Sequence, residues 1–325
     1  MKNPFVTNGY VSPEYFCDRE KETAKIVSLL TNENNIALIS PRRLGKTDLL
    51  RHCFGQPEIK EHYHTFIIDI YATSSVRDFV NVFGKAVLDE LRPKGKSVWG
   101  TFLNVLASLR SEITFDMNGQ PTWGIGLGAI TNPSATLDEI FSYLNNAGKP
   151  CLIAIDEFQQ ITKYADDPNI EAALRTHIQR CSNAHFVFSG SHRHLMGAMF
   201  TSPARPFYQS VTLINLPPIS VDKYAEFCLK HFERVSKHLD TLVVTELYER
   251  FNGITSYMQK VMNILFSMTG TGEICIPSMI DTAINDLLDF SADTYDALLY
   301  QMPEKQRIVF MAIAAEGKAK AISSG

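Results

Sequence analysis

From residue 36 to 216 the chain alternates short apolar runs with stretches of helical period. The runs are "IALIS" (36–40), "TFIIDI" (65–70), "CLIAI" (151–155), "HFVFS" (185–189) and "VTLINL" (211–216). All but the last are nearly continuous in apolar side chains, as strands covered on both faces must be. Between them the spacing predicts helices over 19–32, 46–54, 75–91, 97–110, 136–147, 170–182 and 192–200. "SPEYFCDREKE" fits the start of the first, with acids gathered near its first turn. Strands alternating with helices in this way predict an α/β fold with a parallel sheet and crossover helices.

One segment interrupts the alternation. In 112–128, Ile113, Phe115 and Met117 recur with period two, Asn118-Gly119 follows, and a second extended stretch comes after. Asn-Gly readily takes the positive φ angles of a tight turn, so the segment predicts an inserted β-hairpin. Its glycines in "GIGLG" lack the spacing of a dinucleotide-binding loop and receive no nucleotide role. After "LPPIS" the strand signals stop. Residues 222–236, 240–251, 256–268, 278–290 and 294–301 read as amphipathic helices of a second, all-helical domain, and 302–325 begin one more helix.

The remaining bulk properties narrow the classes. A chain of 325 residues suggests two domains, and an apolar fraction of 45% with 20% charged residues describes a folded protein. A net charge of −4 gives no general attraction to nucleic acid. No run approaches the roughly 18 apolar residues of a membrane span, and "MKNPFVTNGY" has no signal-peptide core, so a cytoplasmic, membrane-free protein is expected. Cys17, Cys53, Cys151, Cys181, Cys228 and Cys275 are scattered without a C-x-x-C pair and read as buried free thiols. The pairs His62/His64 and His192/His194 lack the two further ligands a metal would need.

The candidate chemistry lies in "ISPRRLGKTDLL" (39–50), where a loop joins the first strand to the next helix. A Gly-Lys-Thr triplet is weak alone, but between a strand and a helix start it has the placement of a phosphate loop. Pro41, Arg42, Arg43, Leu44, Gly45, Lys46, Thr47 and Asp48 are therefore the candidate nucleotide contacts. Lys46 would neutralise phosphate charge, Thr47 would ligate Mg²⁺, and Gly45 would permit close backbone approach. Ser40 stands where G-x-x-x-x-G-K-[ST] has its first glycine. A second element, "CLIAIDEFQQI", delivers Asp156 and Glu157 to the carboxyl end of a buried strand, where ligands of open α/β sheets sit. Asp156 suits Mg²⁺ and Glu157 suits polarising a water. A third, "FVFSGS", ends in Ser189 and Ser191, either of which could reach the γ-phosphate or the lytic water, although from the segment alone a plain strand-end turn is the stronger reading.

Taken together, "YFCDREKE", "SPRRLGKT", "IAIDEFQQI", "FVFSGS" followed by "MGAMF", "SPARPFYQS" and "FNGITSYMQ" resemble, in this order, the archaeal-type ATPase family. That family belongs to the STAND branch of AAA+ P-loop ATPases, close to the archaeal replication initiators. The resemblance covers nearly the whole chain. It implies a P-loop NTPase fold (ASCE/AAA+) with a five-stranded sheet in which the strand ending at Ser189 lies between those ending at Ser40 and Asp156. It implies a P-loop ATPase domain over 1–218, a helical lid over 219–301 and the start of a winged helix over 302–325. Lys46 and Thr47 look like the Walker A pair, Asp156 and Glu157 like Walker B, and Ser189 or Ser191 like the first sensor. Arg19, with Glu20, resembles the family's arginine-acid box, whose surroundings from Phe5 to Phe16 lie near the adenine in relatives. Thr255 stands where the lid motif G-x-P has proline, and Arg250 and Lys260 read as solvated helix residues.

The function this implies is Mg²⁺-dependent ATP binding and hydrolysis by a nucleotide-driven switch. The rival is an ATP-binding interaction or DNA-binding regulator with negligible hydrolysis. A small-molecule phosphotransferase is a third class, which the adjacent Asp156-Glu157 pair disfavours because it suits water activation. An arginine acting in trans on the γ-phosphate, and with it a homo-oligomer, is a further implication; Arg175, Arg180, Arg193 and Arg205 are the candidates. Phe207 and Tyr208 read as packing rather than base stacking. DNA contact through a winged helix that this sequence does not complete would be weak and salt-sensitive.

Overall fold

The computed structural model describes residues 3–91, 113–115, 121–123 and 133–316. In chain order the first elements are α1 (Glu20–Thr31), β1 (Ile36–Ile39), α2 (Lys46–Phe54), α3 (Pro57–His62), β2 (His64–Asp69) and α4 (Val76–Glu90). Then come β3 (Ile113–Phe115), β4 (Pro121–Trp123), α5 (Pro133–Asn145), β5 (Cys151–Asp156), α6 (Ile170–Arg180), β6 (Ala184–Gly190), α7 (Arg193–Thr201) and β7 (Thr212–Asn215). The five long-range strands form one parallel sheet in the order β2-β5-β6-β1-β7. As expected, β6 lies between β1 and β5.

The apolar runs are unbroken because both faces of the sheet are covered. Along β5, Cys151, Ile153 and Ile155 enter one core while Leu152 and Ala154 enter the other. β1 divides Ala37 and Ile39 from Ile36 and Leu38 in the same way, and β6 divides Phe186 and Phe188 from Val187. With side chains alternating between two cores, no position is left for water. β7 is an edge strand, and only Ile214 of its four residues is buried. That is why its sequence was the least continuous.

Helix α4 starts at an N-cap, Ser75, whose side chain accepts from the Asp78 amide, and it buries Phe79, Val80, Phe83 and Val87. Helix α3 was not predicted; six residues beginning at Pro57 are too few to show a period. The expected hairpin forms, with Ile113 opposite Trp123 in an antiparallel pair. The Asn118-Gly119 turn, the "GIGLG" glycines and the helix predicted over 97–110 lie outside the described residues.

The described residues group into two compact units: 8–224 with 253–256, and 3–7 with 225–252 and 257–316. Helix α8 (Val221–Glu233) leads into the second, which contains β8 (His238–Leu239), α9 (Thr241–Phe251), most of α10 (Thr255–Met268), β9 (Ile274–Cys275), α11 (Ile280–Phe290), α12 (Ala292–Gln301) and α13 (Glu304–Glu316). The all-helical expectation needs one correction: β8 and β9 pair in parallel over two residues each, too short to leave a hydrophobic pattern. Phe5 is fully buried in this unit, its ring 5.7–6.0 Å from those of Phe227, Phe232 and Phe266. Asn3 and Asn263 tie its backbone in place, Asn3 Nδ2 donating to Asn263 O and Asn263 Nδ2 to Phe5 O. Helix α13 buries none of its residues.

All six cysteines are buried free thiols. Among the described residues there is no cluster of metal-type ligands, and no helix is long and apolar enough to cross a membrane.

Two histidines of the sheet unit, buried His185 and half-buried His177, set an expected pH response. Burial holds His185 on β6 and His177 on α6 below the ordinary imidazole value, against the opposing pull of Glu33 and Asp138 respectively. The unfolded chain therefore binds protons at pH values where these folded groups do not, and acid favours unfolding. The urea midpoint is expected to fall as pH drops below about 6.5. A His177→Gln, His185→Gln protein is expected to flatten that slope.

Candidate functional site

The loop after β1 bends through two left-handed residues, Arg43 at φ 70° and Gly45 at φ 83°. A side chain at Gly45 would meet no protein atom within 4 Å, so the glycine answers the backbone angle and leaves open the space beside it. Gly45 is the N-cap of α2. The first amides of α2, from Lys46 onward, have no intrahelical acceptor and carry the positive end of the helix dipole. Ser40 is fully buried, and its hydroxyl donates to Pro41 O at 3.0 Å. Leu44 is buried, anchoring the loop to the apolar interior.

Lys46 is 7% exposed, and its ammonium donates to Ser40 O at 3.1 Å and Pro41 O at 3.3 Å. Burial pushes it below the usual lysine value; Asp156 and Glu157 oppose that shift, while Arg42 adds to it. Thr47 Oγ1 donates to Asp156 Oδ2 at 2.5 Å, and Asp156 Oδ1 accepts from the Glu157 amide at 3.0 Å. The loop and the carboxyl end of β5 thus meet across the sheet, although 109 residues separate Thr47 from Asp156. Asp48 pairs with Arg51 on its own helix at 3.7 Å, and burial raises its carboxyl above the usual range.

Glu157 is left-handed, at φ 55°, where β5 turns into a short 3₁₀ segment, Phe158–Lys163. Its carboxylate oxygens lie 3.1 and 3.0 Å from Ser191 Oγ. Arg42 Nε donates to that same hydroxyl at 3.3 Å, its terminal nitrogen is 3.9 Å from the carboxylate, and its guanidinium lies over the Tyr71 ring. Ser189 is fully buried, and its hydroxyl has no hydrogen-bond partner among the described residues. Of the two serines left open by the sequence, Ser191 is the one that touches Glu157.

A model of an ATPase domain predominantly from Archaea matches residues 16–261. The chain belongs to that ATPase family. Among solved structures, a Walker-type ATPase of Pyrococcus abyssi superposes with a TM-score of 0.60 at 16% identity, over 92% of this chain and 79% of that one. The ORC1 protein of Aeropyrum pernix, solved in complex with DNA, gives 0.57 at 14% identity, over 95% and 75%. The ORC2 protein of the same organism gives 0.57 at 14%, over 88% and 71%. These likenesses establish the P-loop, AAA+-like fold. No curated protein sequence matches the chain.

Other expected residues of this ATPase fall elsewhere. Arg19 is buried, and its guanidinium meets Glu22 at 2.8 Å and Pro217 O at 2.7 Å; the acid it pairs with is Glu22, while Glu20 is exposed. Phe16 stacks on His52 of α2 with ring centroids 4.4 Å apart, and Tyr10 bonds the same imidazole at 3.1 Å. Among the arginine candidates, Arg205 is engaged by Glu171 and Arg175 donates to Gln179 at 3.0 Å, while Arg180 and Arg193 are exposed. Phe207 is buried against Phe158, Phe188 and Phe200, so it packs; Tyr208 is exposed. Arg250 bonds Glu246 and Asp281, as a surface residue of its own unit. Sequence reasoning missed Gln159, Gly190 and Ser256. The Ser256 amide donates to Arg43 O at 3.2 Å, within the unit that carries the sheet.

Proposed function

We propose that the chain binds ATP with Mg²⁺ and hydrolyses it, and that it works as a nucleotide-driven switch. The observation that supports this best is the 2.5 Å bond between Thr47 and Asp156, which brings the strand-end acids to the loop that carries Lys46. The amides at the start of α2 and the Lys46 ammonium would hold the β- and γ-phosphates. Thr47 and Asp156 are hard oxygen donors side by side, the donor type Mg²⁺ takes, so the residues present fit the ion. Bound there, it would neutralise charge on the phosphate oxygens. Glu157 would orient and polarise the attacking water, and Ser191 or Ser189 would report on the γ-phosphate.

In this reading residues 1–218 are the ATPase domain, 219–301 the helical lid and 302–325 the start of a winged helix. DNA contact, suggested by the ORC1 complex, would be salt-sensitive. Calorimetric titration of the wild-type protein with ATP and MgCl₂ tests the reading. Saturable binding at one site per chain is expected; absence of binding at millimolar ATP would overturn it.

A further inference from the structure

We propose that Gln159 is a positioning residue for the Glu157 carboxylate, and that residue 190 is glycine so that the Gln159 amide can reach it. The proposal rests on the reading of Glu157 as the group that polarises water. Gln159 is 4% exposed, and its Nε2 donates to Glu157 Oε2 at 2.5 Å. The left-handed turn at Glu157 makes this possible, because it folds the chain back so that residue 159 lies beside the side chain two positions earlier.

The carboxylate is therefore held from two sides. Gln159 Nε2 approaches one oxygen, and Ser191 Oγ, itself accepting from Arg42 Nε, approaches both. A carboxylate offers about four lone-pair sites, so these donors fix its orientation and leave room for a water. A base must lie within hydrogen-bond reach of its proton, and an unrestrained glutamate would divide its time among rotamers that do not.

Packing does not account for the amide. Gln159 Oε1 is buried without a hydrogen-bond partner among the described residues, a cost that a methionine of similar length would avoid. Gly190 explains how the amide is accommodated. A Cβ on residue 190 would lie 2.4 Å from Gln159 Oε1 and 2.5 Å from Met196 Sδ, and Met196 is itself fully buried. A side chain there would require the Gln159 amide or the Met196 thioether to shift.

The test compares ATP turnover and ATP affinity for wild type, Gln159→Met, Gly190→Ala, Glu157→Gln and the Gln159→Met, Glu157→Gln double variant. Gln159→Met and Gly190→Ala are each expected to lower kcat about 10- to 100-fold and to move ATP affinity less than about threefold. In the Glu157→Gln background, Gln159→Met is expected to change residual turnover less than about twofold, since the group it positions is gone. Gln159→Asn, which keeps an amide one methylene too short, should lower kcat as well and replaces the methionine variant should that one not fold. A wild-type kcat in Gln159→Met or Gln159→Asn, an equal loss in the Glu157→Gln background, or a matching loss of ATP affinity would overturn the positioning role. The two readings fail differently. Turnover that survives Glu157→Gln removes the base itself, and the positioning role with it; turnover that collapses in Glu157→Gln but stays whole in Gln159→Met removes only the role of Gln159.

Discussion

Replacing Glu157 with glutamine is expected to lower ATP turnover by at least about 100-fold while leaving ATP affinity within about threefold of wild type. A hundredfold corresponds to about 2.7 kcal/mol of barrier. The asymmetry follows from which atoms the residue touches. Glu157 contacts Ser191, Gln159 and Arg42, whereas the Thr47–Asp156 bond and the Lys46 contacts do not pass through its side chain. Glutamine is nearly isosteric and keeps a carbonyl to accept from Ser191, so the strand end and the left-handed turn should persist. What is lost is the basic, charged oxygen. Steady-state phosphate release and an equilibrium titration with ATP, on the same preparation, separate the two quantities. Equal loss of both would assign Glu157 to binding; unchanged turnover would leave a nucleotide-binding regulator, the rival class.

The parts of this molecule legible in advance are those in which one residue type answers one local demand. Cys151 to Ile155 announce a central strand because alternate residues serve two cores, and no polar residue is tolerated. Gly45, Lys46 and Thr47 announce the loop because φ, charge and hydroxyl each need a particular side chain. Strand order was different. A hydrophobic pattern says which faces are buried but not which strand is the neighbour, so the position of β6 between β1 and β5 came with the family resemblance.

What stayed hidden depends on contacts distant in sequence. Nothing near Arg205 signals that Glu171 claims it, and nothing near Gly190 signals that Gln159 needs the room. Gln159 carried a faint signal, an amide two residues after Glu157, but only the turn at Glu157 gives that spacing meaning. Arg19 was paired with Glu20 through the family resemblance, whereas its partner is Glu22, three positions on, where helical spacing brings side chains together.

Lys46→Met is expected to weaken ATP binding by at least about 100-fold, about 2.7 kcal/mol, and to make turnover undetectable, without lowering the thermal midpoint of the protein measured in the absence of nucleotide. The two halves come from the same observation. The ammonium is buried against two carbonyls, and an ammonium has three donors, so one remains for a phosphate oxygen. Its desolvation is unfavourable enough to push its pKa down even with Asp156 and Glu157 nearby. In sign, a lysine whose folded pKa lies below its unfolded one holds its proton less readily in the fold than in water, so the charged form opposes folding at neutral pH. Methionine fills the channel of the lysine stem and removes that opposition, leaving two carbonyls at the loop to be satisfied otherwise. The site is thus held in a state that favours an anion more than it favours stability. Thermal melts with and without ATP and Mg²⁺ read both halves at once: wild type should rise with ligand, and Lys46→Met should start no lower and fail to rise. Equal protection of the two proteins by ATP would mean that the phosphates are gripped elsewhere. A large fall in the unliganded midpoint would mean that Lys46 is a structural cation whose main role is to tie Ser40 and Pro41 to the helix.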